Sequence, residues 1–235
     1  MIEIHNGHYA HGPFKLDISL AAKPGTLVAV LGPSGAGKST LLNIISGFEP
    51  LNQGRVLIDG HDVTSLPPSK RPVSMVFQDN NVFPHLTLWQ NVALGIAPNL
   101  KLNDAQQHSV DAAIARVGLM ALAQRKPGDV SGGERQRVAL ARVLVRPTKV
   151  LLLDEPFAAL DPGLRQNMLA LVNDITVERG LATLLVSHQP AEIRERADAV
   201  VFVGDGKVRP AQTPSRFFAD ANDQTVSTYL GKGSL

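Results

Sequence analysis

Hydrophobic and polar positions fall into two regimes along the chain. Ile2-Glu3-Ile4 and Leu16-Asp17-Ile18-Ser19-Leu20 alternate with period two, the pattern of antiparallel strands with one face on a core. Val56-Leu57-Ile58-Asp59-Gly60 ends a further edge strand on an Asp-Gly turn. The runs Leu27 to Leu31, Val150 to Leu153 and Thr183 to Val186 are apolar on both faces and predict buried parallel strands. Val73-Ser74-Met75-Val76-Phe77 joins them, and Ala199 to Val203 followed by Asp205-Gly206 predicts a closing hairpin. From about Leu86 to Val145 the pattern is helical, with an N-cap at Asn103-Asp104, a break at Gly118, a loop at Pro127-Gly128 and a helix opening near Ser131. A helical block therefore interrupts the sheet-forming portions. The stretch from His5 to Pro13 is rich in turn formers and reads as a loop. The segment after about Pro210 carries no readable motif.

Composition changes this picture little. At 235 residues the chain has room for one large α/β domain. A formal charge of +2 creates no demand for a nucleic-acid partner, and the absence of cysteine removes disulfides and thiolate metal sites. Met1-Ile2-Glu3-Ile4 lacks the basic-then-apolar order of a leader, and no apolar stretch is long enough to span a bilayer. A soluble protein is expected, with any membrane role exercised through a partner.

The chemistry is concentrated in two places. Gly32-Pro33-Ser34-Gly35-Ala36-Gly37-Lys38-Ser39-Thr40 lies between a strand and a helix, with the spacing of a phosphate-binding loop. Its glycines let backbone N–H groups turn onto a polyphosphate at a helix N-terminus. Lys38 is placed to reach the β- and γ-phosphates and Ser39 to ligate Mg²⁺, so a nucleoside triphosphate with Mg²⁺ is the expected ligand. A second buried strand, Lys149 to Leu153, delivers Asp154 and Glu155 at its C-terminal end, where ligands sit in open α/β sheets. Asp154 suits a Mg²⁺ ligand, and Glu155 a group that orients or deprotonates an attacking water.

With these two motifs, the order of Gln78, Val130-Ser131-Gly132-Gly133-Glu134-Arg135-Gln136-Arg137 and Ser187-His188 resembles an ATP-binding cassette (ABC) ATPase over nearly the whole chain. The resemblance implies an α/β fold with a P-loop NTPase (RecA-like) core, an N-terminal antiparallel β subdomain and a helical subdomain inserted at about 86–145, all within one ATP-binding domain. It implies that Gln78 senses Mg²⁺ and the γ-phosphate and that His188 contacts the γ-phosphate. It further implies that Ser131, Gly132, Gly133 and Glu134, with Asp161, act across an interface on ATP held by a second copy of the chain. Val130 replaces the usual leucine, and Glu134 the usual glutamine. Adenine stacking falls to Tyr9 or His11, with Tyr9 favoured as the aromatic of its stretch.

Two groupings receive plainer readings. His5, His8 and His11 have a spacing that would gather ligands on a helix, but Gly7, Gly12 and Pro13 favour a loop with solvated imidazoles. Arg135, Arg137 and Arg142 read as a solvated or ion-paired helix face and not as a nucleic-acid patch.

Pro67 to Gln78, running into Val82-Phe83-Pro84-His85-Leu86-Thr87-Leu88, resembles ATPase subunits of bacterial importers that work with a periplasmic binding protein. In that resemblance Phe83, Pro84 and Leu86 form a socket for a permease helix, which they match equally well as subdomain core. Pro68 to Thr87, followed by Asn99-Leu100-Lys101-Leu102-Asn103, is most similar to the thiamine-importer branch of the family. The implied partners are a second copy, integral membrane permease subunits and, indirectly, the solute-binding protein, at the cytoplasmic face of the inner membrane. Importers of iron(III), polyamine or sulfate share much of the same pattern. A soluble cassette acting on DNA or ribosomes would show a coiled-coil insertion, zinc modules or a tandem cassette, and a plain P-loop kinase would leave Ser131 to Glu134 and His188 unexplained.

Overall fold

The computed structural model describes residues 1–77, 82–158, 160–219 and 224–231, apart from the side chains at 191 and 192. Its strands are β1 (Ile2–His11), β2 (Phe14–Ala22), β3 (Thr26–Leu31), β4 (Gln53–Ile58), β5 (His61–Asp62), β6 (Val73–Val76), β7 (Val150–Asp154), β8 (Ala182–Val186), β9 (Ala199–Gly204) and β10 (Lys207–Val208). Its helices are α1 (Lys38–Ser46), α2 (Leu88–Ala93), α3 (Asp104–Arg116), α4 (Gly132–Leu144), α5 (Pro162–Glu178), α6 (Pro190–Arg196), α7 (Pro214–Ala219) and α8 (Gln224–Tyr229). The strands share one sheet in the order β5-β4-β1-β2-β10-β9-β3-β8-β7-β6. The β9-β3-β8-β7-β6 portion is parallel and the β5-β4-β1-β2 portion antiparallel.

The doubly apolar strands divide their residues between two cores. Val28 and Val30 of β3, with Leu152, Leu184 and Val186, face Leu41, Leu42, Ile44 and Ile45 of α1 and the inward residues of β1 and β2. Leu27, Ala29 and Leu31 face the other way, onto Leu169, Val172 and Ile175 of α5 and onto Phe217 and Val226 from the C-terminal helices. The helix that opens at the glycine-rich loop is thus enclosed between two sheet layers. Each of its fully buried leucines and isoleucines contributes roughly 1.5–3 kcal/mol. The helical block packs a core of its own from Leu88, Val92, Val110, Ile114, Val138 and Ala141. Asn103 caps α3 in a reciprocal box with Gln106, and Gly118 follows that helix in the left-handed region (φ 70°).

Three expectations need correction. The stretch from His5 to Pro13 is not a loop: β1 continues to His11, and only Gly12 and Pro13 turn the chain. Asn6, at φ 48°, and Gly7 are absorbed by a bulge, where the register shifts between Ile4 and Gly7. β4 is not the sheet edge, because β5 pairs outside it. The arginines of α4 do not form a solvated face: Arg135, Arg137 and Arg142 are half-buried. Arg135 donates to the Pro127 and Val130 carbonyls, Arg137 to Val117, and Arg142 to the backbone and side chain of Asn91. All three tie α4 to neighbouring loops and α2.

Candidate functional site

The glycine-rich loop runs from the C-terminal end of β3 into α1. Gly32, Gly35 and Gly37 have φ values of 150°, 77° and 106°, which side-chain-bearing residues rarely adopt. Gly32 is also sterically compelled: a Cβ there would lie 2.1 Å from the Val203 carbonyl oxygen. A Cβ on Gly37 would meet the Phe14 ring at 2.7 Å, whereas one on Gly35 would meet nothing within 4 Å. The loop is therefore pinned at both ends and open in the middle, over the N-terminus of α1. Pro33, Ser34 and Ser39 are exposed, with Ala36 and Thr40 half-buried. Lys38 is 6% exposed, and its Nζ donates to the Gly32 and Pro33 carbonyls at 2.9 and 2.8 Å. Burial lowers its pKa, and the Glu155 and Asp154 charges oppose that shift.

Those carboxylates stand at the end of β7. Burial raises the Asp154 carboxyl above the usual range; a Ser39 hydrogen bond opposes this and the Glu155 charge adds to it. Glu155 itself sits at φ 48°, a left-handed conformation costing an L-residue roughly 1–2 kcal/mol, with its side chain 21% exposed. Its Oε1 lies 2.5 Å from His188 Nε2, which follows β8. Lys38, Ser39, Asp154, Glu155 and His188, far apart in sequence, thus meet at the C-terminal edge of the parallel sheet. Gln78 lies outside the described residues.

Ser131 is the N-cap of α4, with Gly132 and Gly133 in the first turn and Glu134 closing a capping box. A Cβ on Gly133 would come 2.7 Å from the Leu160 side chain, so glycine there lets the start of α4 approach the segment before Asp161. Asp161 is exposed at the N-cap of α5. Among the described residues, no hydrogen bond or ion pair joins Ser131 or Asp161 to the Lys38 cluster.

Tyr9 does not fit the stacking role. It is 7% exposed within the core, and its hydroxyl donates to Glu49 Oε2 at 3.0 Å. The bulge sets its side chain inward. His11, exposed at the end of β1, pairs across the hairpin with Phe14, whose ring covers Gly37. The sequence reading missed Phe14. Its signal was an aromatic opening β2, directly after the Gly12-Pro13 turn. His8 Nδ1 is 2.7 Å from Asp17, and no metal-ligand group is formed among the described residues.

A strand-loop-helix cradle with a buried lysine, facing two carboxylates and a histidine, defines a P-loop nucleotide-binding site. A family model described as ABC transporter matches residues 16–158. The chain belongs to the ABC transporter family, as its ATP-binding cassette. It is 50% identical to the thiamine import ATP-binding protein ThiQ of Mesorhizobium japonicum over 223 residues, covering 95% of this chain and 87% of that protein. It is 48% identical to the protein of that name from Ruegeria sp. over 98% of this chain and all of that one. The Salmonella paratyphi A protein is 54% identical, over 85% and 84%. Among solved structures, a dimeric ATP-binding cassette in a post-hydrolysis state, bound to ADP and Pi, superposes with a TM-score of 0.78 at 27% identity, over 91% of this chain and 99% of that one.

Proposed function

We propose that this chain is the ATP-hydrolysing, energy-coupling subunit of a thiamine importer, working as a pair beneath membrane permease subunits. The thiamine assignment is carried by relatives bearing that name across nearly the full chain, at 48% and 50% identity. The ATPase chemistry is supported by the Lys38, Asp154, Glu155 and His188 cluster. No helix among the described residues is long and apolar enough to cross a membrane, so passage of solute is left to partners. Phe48 and Phe83, 55% and 45% exposed, offer apolar surface for such a partner, with Phe48 edge-on to Phe77.

The residues present suit Mg²⁺ and ATP. Ser39 and Asp154 are hydrogen-bonded hard-oxygen donors at the mouth of the cradle, the ligand type Mg²⁺ takes. Bound there, Mg²⁺ would neutralise charge on the β- and γ-phosphates. Lys38 leaves the Gly32 and Pro33 carbonyls to meet the same phosphates, exchanging two neutral acceptors for anionic ones. Glu155 accepts a hydrogen bond from the attacking water and orients it in line with the γ-phosphorus, while His188, released from Glu155, donates to a γ-oxygen. His11 and Phe14 frame the base. Ser131, Gly132 and Gly133 present α4's N-terminus to the γ-phosphate on the facing subunit, with Asp161 at the seam. ATP then lies inside the interface, and its hydrolysis removes contacts that hold the pair closed.

Two variants test the paired site. Lys38→Ala and Ser131→Arg are each expected to abolish turnover alone. Their mixture is expected to recover activity, since one composite site in the mixed pair combines an intact Lys38 with an intact Ser131. A mixture as inactive as its components would refute the facing-subunit arrangement.

A further inference from the structure

The cap at the start of α4 conflicts with the role given to Ser131. Ser131 Oγ donates to Glu134 Oε2 at 2.8 Å, and the Ser131 backbone N–H donates to the same oxygen at 2.7 Å. The Glu134 N–H reaches Ser131 Oγ at 3.3 Å, so the cap is reciprocal. The backbone bond, and then the side-chain bond, hold the Glu134 carboxyl below its usual range, with smaller help from Arg137 and Arg125. At neutral pH Glu134 is therefore a carboxylate, an acceptor without a proton to give. A serine hydroxyl has one proton. While it points at Glu134, Ser131 Oγ shows lone pairs to anything approaching from outside, and the carboxylate behind adds like charge.

We propose that Glu134 is a brake on ATP-driven closure of the pair: it holds the Ser131 proton away from the γ-phosphate of the facing subunit, so closure must break the Ser131–Glu134 bond. This rests on the facing-subunit reading above. Glutamine at the same position would keep the backbone cap, its carbonyl oxygen accepting from the Ser131 N–H. That oxygen is the one Ser131 Oγ also meets, but without the carboxylate charge it holds the hydroxyl proton less tightly and leaves it freer to turn outward. Glu134 is thus a positioning residue acting through Ser131, and it sets the closed state to reopen readily.

The test measures the dissociation constant of the MgATP-bound pair by sedimentation, in a Glu155→Gln background that stops turnover. Glu134→Gln is expected to tighten it about tenfold, which is about 1.4 kcal/mol. Thermal stability should fall only slightly, because the cap is retained and just the carboxylate charge in the first turn of α4 is lost. With Ser131→Ala also present the gain should vanish. An unchanged or weaker pair overturns the inference. So does a tenfold gain that survives Ser131→Ala, which would assign the effect to charge alone. If Ser131→Arg in the same background pairs with ATP as readily as its parent, the facing-subunit reading fails and the inference with it. Where the parent pair is too weak to sediment, the protein concentration giving half-maximal ATPase activity per chain is read in the wild-type background; Glu134→Gln lowers it, and no change overturns the proposal.

Discussion

Arg71 offers a stability test that reaches the nucleotide site. It is 5% exposed, and its guanidinium ties down the far end of α1. Nη1 donates to the Ile44 and Ile45 carbonyls at 2.8 and 2.9 Å, Nη2 to Thr64 at 2.9 Å, and Nε to Leu66 at 2.9 Å. The Ile44 and Ile45 carbonyls belong to the last turn of α1, where a cation also meets the negative end of the helix dipole. Gly47, in the left-handed conformation that ends the helix, lies so close that a Cβ would fall 2.6 Å from Nε. Arg71→Ala strands three carbonyls, those of Ile45, Thr64 and Leu66, since the Ile44 carbonyl also accepts from the Gly47 N–H. At about 1–3 kcal/mol for each that stays dry, and with water entering the vacated space to satisfy some, the loss comes to about 3–5 kcal/mol. For a domain of this size that is roughly 6–20 °C in Tm. Because α1 begins with Lys38 and Ser39, the KM for ATP should rise as well. Arg71→Lys, which keeps the charge and loses the fork, should recover only part. Urea unfolding with an unchanged m value reads the energy directly. A loss below about 1 kcal/mol would refute the claim that these four bonds anchor the helix.

Three other substitutions probe the site. The raised Asp154 pKa means that its stability contribution is present below the unfolded carboxyl pKa and lost as pH rises through the folded one. Asp154→Asn should therefore unfold at a higher temperature than wild type at neutral pH without nucleotide, the gap closing on acidification, while ATP hydrolysis is lost; equal melting curves at every pH would contradict this. His11→Ala should raise the KM for ATP several-fold with kcat little changed. Tyr9→Phe should leave KM alone and cost about 1 kcal/mol, a typical loss for one side-chain hydrogen bond; the reverse pattern would return base stacking to Tyr9.

The parallel strands were legible because burial on both faces favours apolar residues: β3 and β7 read as apolar runs, and β8 is broken only by Thr183, whose buried hydroxyl bonds that of Thr176. The caps at Asn103 and Ser131 were legible because an amide or hydroxyl followed three residues later by Gln or Glu is a local signal. β1 was not, because Asn6 and Gly7 usually mark turns but here form a bulge that only the neighbouring strands define. Tyr9 and His11, two residues apart, share one face of β1, and His11 is exposed because the strand ends there, so the choice between them was hidden too. Long-range anchors leave no pattern. Nothing local marks Arg71 as the cap of helix carbonyls 26 and 27 residues earlier, and nothing beside Phe14 announces that it packs on Gly37. Lys38, Asp154, Glu155 and His188 could be named from their motifs, but the 2.5 Å Glu155–His188 contact needed the three-dimensional arrangement.

The central claim, ATP-driven thiamine import, is tested most directly by uptake of labelled thiamine at low external concentration in cells deleted for this gene. Complementation with the wild-type chain is predicted to restore uptake, and complementation with Lys38→Ala to leave it at the deletion level. Undiminished uptake in the deletion strain, or full rescue by Lys38→Ala, would contradict the account.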